Sequence, residues 1–295
     1  MDTAPRSILV GLIGVGIQGS RTPALHEREG AAQELPYVYR LIDVETIGLD
    51  TSALPELFDA ARRLGFTGLN ITYPFKQAVI PLLDQLSTEA SELGAVNTVV
   101  FGPDGRSVGH NTDYFGFAES FRRELSDVTR EHVLLIGAGG AGAAVAHALL
   151  TLDAGQLSIV DRDEARAVRL AADLCTRFGA ERAVARSEAA HAVDNANGII
   201  NATPVGMVSH PGLPIAADLV RPDHWVADVV YFPRETELLR LARARGCRTM
   251  GGGGMAVFQA AAAFRLFSGH EPDIARMIRH FAEMSGAPGG GTGDR

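Results

Sequence analysis

The chain has 295 residues, of which 46% are hydrophobic and 21% charged, a balance that suits one large or two ordinary folded domains with a substantial core. A formal net charge of -8 and the lack of a visible basic face argue against a partner held by its phosphate backbone, such as DNA or RNA, and the Arg-rich run 240–248 reads as a solvated helix face. The two cysteines, Cys175 and Cys247, stand in neither metal-ligand nor CxxC spacing. No disulfide framework and no metal are therefore expected, and the expected location is the cytoplasm.

The first predicted strand, residues 8–13, opens an apolar stretch that runs to Ile17. It is followed by Gln18, Ser20 and Arg21 rather than by a small-residue cleavage site, so it does not read as a signal peptide. Further strands are expected over residues 38–42, 66–71 and 96–101, with helices over 24–35, 53–64 and 76–83 between them. After Asp113 the rhythm restarts with a helix over 114–125, a strand over 133–136, and an Ala-rich helix to about Leu152. The stretch 133–150 is apolar, but its Gly and Ala content and His147 argue against a membrane span. A strand over 157–160, a helix over 164–177, and strands over 183–185, 198–201 and 225–230 follow. A helix over 235–244, a strand over 247–250 and helices over 255–267 and 274–284 complete the described pattern.

Alternation of this kind predicts an α/β protein with mainly parallel sheets and right-handed crossovers. Two domains are expected: residues 1–113, completed by C-terminal helices within 252–286, and residues 114–251. The Gly- and Pro-rich tail 287–295 is expected to be flexible.

Two segments match G-x-G-x-x-G, the turn on which a dinucleotide pyrophosphate rests. Gly137-Ala138-Gly139-Gly140-Ala141-Gly142 follows an apolar strand and opens an uninterrupted helix, with Asp161 at the end of the next strand where a ribose ligand belongs. Gly14-Val15-Gly16-Ile17-Gln18-Gly19 also follows a strand, and Asp43 ends the next one. What comes after it, Ser20-Arg21-Thr22-Pro23, places a proline four residues past the last glycine, so no helix can run on directly. The second segment is therefore the expected cofactor turn. A carboxylate at Asp161 accepts ribose hydroxyls and repels a 2′-phosphate, which favours NAD over NADP. Arg162 beside it can pair with a phosphate or stack on adenine, which pulls the other way.

Polar clusters interrupt the apolar first half at strand ends, where α/β sheets bind ligands. They read Ser20-Arg21-Thr22-Pro23, Asn70-Ile71-Thr72-Tyr73-Pro74-Phe75-Lys76, Ala95-Val96-Asn97-Thr98 and Asn111-Thr112-Asp113. The second half adds Asn201-Ala202-Thr203-Pro204-Val205-Gly206-Met207, a D-x-x-Y-x-P-x-x-T-x-L-L pattern from Asp228 to Leu239, and Gly254-Met255 with Gln259. In this order the motifs closely resemble those of the shikimate dehydrogenase family.

That resemblance implies reversible oxidation of a ring secondary alcohol to a ketone, with hydride passing to the nicotinamide. Lys76 and Asp113 would be the catalytic pair. Ser20 and Thr22 would hold the substrate carboxylate, Thr72, Asn97 and Gln259 the ring hydroxyls, and Tyr231 would add to carboxylate binding. The cofactor residues would be Gly137, Gly139, Gly140, Ala141, Gly142, Asp161, Arg162, Asn201, Thr203, Pro204, Gly206, Met207, Val230, Gly254 and Met255. A free lysine is protonated at neutral pH and a poor base alone, so the two catalytic groups are read as a coupled unit that shares protons with the substrate oxygen.

Departures from the family pattern refine the expectation. Asp161-Arg162-Asp163 stands where NADP-using members carry Asn-Arg-Thr, Thr22 where Ser is common, and His110 before Asn111. The combination resembles the NAD-dependent quinate/shikimate branch, acting on quinate or shikimate and serving quinate breakdown more than biosynthesis. Alternatives are an NADP-dependent biosynthetic shikimate dehydrogenase, a dehydrogenase of an amino analogue, a non-catalytic metabolite-binding paralogue, and a folate-type dehydrogenase, which the Ser20 and Asp113 motifs disfavour. The expected partner is a small molecule, with neither nucleic acid nor membrane, and the expected assembly is a monomer or homodimer.

Overall fold

A computed structural model describes residues 7–286, so the expected flexible tail 287–295 lies outside the described residues. The chain divides into two compact units. One comprises the described residues up to Ala90, Val96–His110 and those from Ala260 onward. The other comprises Ser91–Ala95 and Asn111–Gln259.

The first unit is built from β1 (Ile8–Gly14), α1 (Thr22–Ala32), β2 (Tyr37–Asp43), α2 (Leu54–Arg63), β3 (Gly68–Ile71), β4 (Gln85–Leu86), the start of α3 (Thr88–Leu93), β5 (Thr98–Phe101) and β6 (Ser107–His110). The sheet order is β2-β1-β3-β5-β6-β4. β1 runs parallel to β2 and β3, and β4 parallel to β6, while β5 is antiparallel to both β3 and β6. The β5–β6 hairpin turns at Pro103-Asp104-Gly105, where Gly105 takes φ +80°, a conformation that glycine reaches without a steric cost. No helix forms over residues 76–83. The chain makes turns there and a single 3-10 turn at Ile80–Leu82, because Pro81 removes a backbone donor and disfavours helical geometry at Ile80.

The second unit follows as α4 (Thr112–Glu124), β7 (His132–Ile136), α5 (Gly140–Thr151), β8 (Gln156–Val160), α6 (Glu164–Phe178), β9 (Ala183–Ala185), α7 (Ala189–Val193), β10 (Gly198–Asn201), β11 (Trp225–Asp228), α8 (Glu237–Ala244) and β12 (Arg248–Met250). Then come α9 (Gly252–Ser268), divided between the units after Gln259, and α10 (Ile274–Gly286) in the first unit. The second sheet has the order β12-β11-β10-β7-β8-β9 and is parallel throughout. The chain leaves β7 toward β8 and β9, then returns to the other side of β7 for β10. This creates a switch point between β7 and β10, the place where doubly wound sheets open a ligand crevice.

The sheet of the first unit buries both faces. Phe58, Leu69, Ile71, Phe75 and Val99 fill one side. Val10, Tyr37, Tyr39, Phe264 and Phe267 fill the other, with Tyr37 and Phe264 stacked at 5.2 Å between ring centroids. The end of α9 approaches β3 closely, since a Cβ at Gly68 would lie 2.4 Å from the Phe267 ring. Among the described residues, no helix is long and apolar enough to cross a membrane.

α10 is fastened to α1 by one buried charge. Glu29 is fully enclosed and accepts from Arg276 Nε at 2.8 Å and Nη2 at 2.7 Å, from Asp273 N at 2.9 Å and from Gln33 Nε2 at 2.6 Å. Burial alone would raise its carboxyl, but the Arg276, Asp273 and Gln33 donors outweigh it and hold it below its ordinary value. Removing one member of such a pair strands the other. Glu29→Ala is therefore expected to cost about 2–4 kcal/mol, read by urea denaturation. A carboxylate with a depressed native pKa stabilises fully above its unfolded pKa and loses that contribution as the pH falls through the native one. The gap between wild type and variant should thus be widest near neutrality and shrink below about pH 4. An unchanged urea midpoint at neutral pH would contradict this account.

Candidate active site

In the first unit, strand register gathers four chain segments at one sheet edge. Ile13 pairs with Ile71, Asn70 with Thr98, and Thr98 with His110. Because β5 is antiparallel, its beginning meets the ends of β1, β3 and β6. The loops just beyond this row carry Ser20 and Thr22 after β1, Thr72 and Lys76 after β3, and Asn97 before β5. Backbone bonds lace them together: Thr72 N to Ile13 O at 3.0 Å, Val15 N to Tyr73 O at 3.1 Å, Ile71 N to Asn97 O and Val96 N to Lys76 O at 2.8 Å, and Asn97 N to His110 O at 3.1 Å.

Ser20 Oγ accepts from Thr22 N at 3.3 Å, so both hydroxyls sit on one turn at the start of α1. That helix begins at Thr22 with Pro23 in its first turn, which tolerates proline because the missing N–H is unused there. Lys76 is half-buried in the turn after Pro74. Asn97 is 4% exposed and belongs to a buried chain of bonds. Tyr39 Oη donates to Asn70 Oδ1 at 2.7 Å, Asn70 Nδ2 donates to Thr98 Oγ1 at 2.9 Å, and Thr98 Oγ1 donates to Asn97 Oδ1 at 3.1 Å. Asn70 and Tyr39 thus orient Asn97. Asn70 stood inside a motif without a role, and Tyr39 gave no signal beyond its place in an alternating strand.

The first glycine turn holds an anion already, the protein's own. Asp43, 2% exposed, accepts from Gly16 N and Ile17 N at 3.0 Å and from Gln18 Nε2 at 3.2 Å. Burial would raise this carboxyl, yet the donors from Gln18, Gly16, Ile17 and Thr46 together hold it below its ordinary value. The Gly16 and Ile17 N–H groups at the centre of this turn are thus occupied.

The second glycine turn is built differently. Gly137 adopts φ +106°, and a Cβ on it would lie 2.8 Å from Ala202 O. At Gly142 a Cβ would fall 1.9 Å from Gly137 O, so the start of α5 rests directly on the turn, whereas at Gly139 nothing lies within 4 Å. Gly139 is also the N-cap of α5 and offers no side-chain acceptor, which leaves the positive end of the helix dipole without a side-chain cap. Asp161 accepts from Ala138 N at 2.6 Å and Asp163 N at 2.8 Å. An ionised carboxylate has about four acceptor sites, so capacity remains for ribose hydroxyls. Arg162 is exposed, and Asp163 pairs with Arg166 at 3.2 Å. These features fit a dinucleotide.

On the second unit's own helices, Asp113 is 8% exposed in the first turn of α4, where a carboxylate complements the helix dipole. Asn111 caps that helix, its Oδ1 accepting from Tyr114 N at 3.2 Å. Gly116 lets α4 meet α9, since a Cβ there would lie 2.6 Å from Met255 O. Thr112 Oγ1 accordingly lies 3.5 Å from Gln259 Oε1. Gly254 faces α4 too, its Cβ position lying 2.3 Å from Ser120 Oγ. Thr203, Pro204, Gly206 and Met207 form the loop after β10, and Val230 and Tyr231 follow β11. Among the described residues, no group of three or more His, Cys, Asp and Glu could hold a metal.

Three family models match the chain: a shikimate dehydrogenase substrate-binding domain over residues 12–99, a shikimate/quinate 5-dehydrogenase domain over 119–207 and a shikimate 5′-dehydrogenase C-terminal domain over 252–280. The chain belongs to the shikimate dehydrogenase family. Relatives in this family include the shikimate dehydrogenase (NADP(+)) of Streptomyces avermitilis, 58% identical across 95% of this chain and 97% of that one. The quinate/shikimate dehydrogenase (NAD(+)) of Corynebacterium efficiens is 51% identical across 94% and 99%. Among solved family structures, the quinate dehydrogenase of Corynebacterium glutamicum in complex with NAD superposes with a TM-score of 0.86 at 48% identity, covering 94% of this chain and 99% of that one.

The two glycines make separable predictions. Gly142→Ala has no room and is expected to lower stability and abolish cofactor binding. Gly139→Ala fits the free protein and is expected to keep the melting temperature while weakening the dinucleotide at least about tenfold, by crowding its pyrophosphate. Calorimetric titration with NAD beside a thermal melt distinguishes the two outcomes, and full NAD affinity in Gly139→Ala would move the pyrophosphate elsewhere.

Proposed function

We propose that this protein is an NAD-linked quinate/shikimate dehydrogenase, which interconverts the ring alcohol and its 3-keto form. The first unit would take the substrate and the second the cofactor. The observation that carries the choice of NAD is Asp161 at the end of β8, held by Ala138 N and Asp163 N, where a 2′-phosphate would meet its charge.

Ser20 and Thr22 are read as donors to the substrate carboxylate, with Tyr231 adding to that grip. Thr72, Asn97 and Gln259 are read as holding ring hydroxyls. When bound, NAD supplies the hydride-accepting nicotinamide, held by the turn at Gly137, Gly139, Gly140, Ala141 and Gly142 and by the loops after β10 and β11. Oxidation of a secondary alcohol releases one hydride from carbon and one proton from oxygen. Lys76 and Asp113 are assigned to the proton: the lysine bonds the reacting oxygen and stabilises its developing charge, and the carboxylate fixes the lysine and shares the proton. Lys76→Ala is expected to cut kcat by at least about a hundredfold, the scale of a lost acid–base group, while NAD affinity stays unchanged. Near-normal turnover in that variant would remove the assignment.

A second reading, an NADP-linked shikimate dehydrogenase, is favoured by the name of the Streptomyces avermitilis relative and by exposed Arg162 beside the ribose position. Steady-state kinetics decide between them. The proposal expects kcat/KM for NAD to exceed that for NADP on both quinate and shikimate, and turnover confined to NADP with shikimate would establish the second reading instead.

A further inference from the structure

Asp228 ends β11 in register with Asn201 at the end of β10, and Asn201 is in register with Ile136 at the end of β7. The three form one row across the carboxyl edge of the second sheet, ending at the glycine turn. Asp228 is 1% exposed, and Asn201 and Thr236 are fully enclosed. A carboxyl so deep needs donors. Its Oδ1 accepts from Asn201 Nδ2 at 2.9 Å and Val230 N at 3.0 Å, and its Oδ2 accepts from Thr236 Oγ1 at 2.7 Å. Burial pushes this carboxyl up to about 6 against those three bonds, so the group sits there at an energetic cost that an apolar residue would avoid.

Asn201 passes the constraint onward. Its Oδ1 accepts from Thr203 N at 3.0 Å and Thr203 Oγ1 at 2.6 Å, and its Nδ2 donates to Val205 O at 2.8 Å. Thr203 Oγ1 accepts from Val205 N at 3.2 Å. On the other side, Thr236 Oγ1 caps α8 through Leu239 N at 3.3 Å. Gly206 closes the loop over this cluster, its Cβ position lying 3.4 Å from Thr236 Cβ and 3.7 Å from Asp228 Oδ2. The loop over residues 202–207, the turn after β11 and the start of α8 therefore converge on one carboxyl.

These loops lie across the switch point from Asp161. A dinucleotide with its adenosine ribose on Asp161 and its pyrophosphate over Gly139 extends its other half toward them. We infer that Asp228 is a positioning residue for the nicotinamide half of the cofactor, fixing through Asn201 the 202–207 loop against which that half lies. The inference rests on the dinucleotide reading proposed above. Asn201, expected from the sequence among the cofactor residues, is here assigned with Asp228 to act without touching the cofactor, because both are enclosed and the polar atoms of the Asn201 amide are all engaged within the loop cluster.

The test compares NAD with ADP-ribose, which lacks only the nicotinamide, by calorimetry on the full chain. Asp228→Ala is expected to weaken NAD about tenfold or more, the scale of one lost buried hydrogen bond, and to leave ADP-ribose affinity unchanged. Asp228→Asn should restore NAD binding, because its amide oxygen can accept from Asn201 and Val230 while its NH2 donates to Thr236. Asn201→Ala leaves Asp228 two of its partners, should show the same selective loss, and serves where the alanine at 228 does not fold. Equal losses for NAD and ADP-ribose, or unchanged NAD affinity in folded Asn201→Ala, would overturn the inference. A wild-type chain that binds neither ligand defeats the NAD reading instead. The same comparison with NADP and 2′-phospho-ADP-ribose then tests Asp228, since the nicotinamide half is common to both cofactors.

Discussion

Backbone N–H groups exposed where a parallel strand turns into a helix must find an acceptor, and this chain meets that demand in two ways. At the first glycine turn the acceptor is Asp43, whose carboxylate takes the N–H groups of Gly16 and Ile17. At the second, Asp161 takes Ala138 N but α5 begins at an N-cap glycine with no acceptor of its own. One turn is sealed by the protein, and the other, without a side-chain cap, is the one proposed to take the cofactor. The remaining assignments follow from that difference: the sealed turn leads into α1 and presents Ser20 and Thr22, while the open turn is free to take a pyrophosphate.

Strand register then places the rest of the chemistry. In the first unit, β5 enters the sheet antiparallel to β3, which brings Asn97 to the edge where β1 and β3 end. In the second, Ile136, Asn201 and Asp228 fall in one row. Neither arrangement needs a special fold for the site. Each follows from register, with buried amides and carboxyls (Asn70, Asn201, Asp228) tying loops to the strands they leave.

Most of the architecture was legible in the sequence because β-α alternation, glycine turns and polar strand ends are local signals. The sequence already separates the two G-x-G-x-x-G segments, by Pro23 after the first and by the uninterrupted helix and Asp161 after the second, whereas Asp43 filling the first turn was not legible. What escaped reading depended on distant partners or short elements. The stretch 76–83 carries helical spacing that Pro81 defeats. The two-residue β4 and the hairpin strand β6 are too short for periodicity to register. Tyr39 orients Asn97 through Asn70 and Thr98, and Asp228 gathers Asn201 from the end of β10 with Val230 and Thr236 from the segment that follows β11. No spacing rule exposes such contacts, since they exist only once the sheets are paired.

A crystal structure of the complex with NAD tests the account most directly. It predicts the pyrophosphate over Gly139 at the N-terminus of α5, both adenosine ribose hydroxyls on Asp161, and the nicotinamide against the 202–207 loop. A pyrophosphate bound at Gly14–Gly19 with Asp43 displaced, or an adenosine ribose with no contact to Asp161, would contradict it.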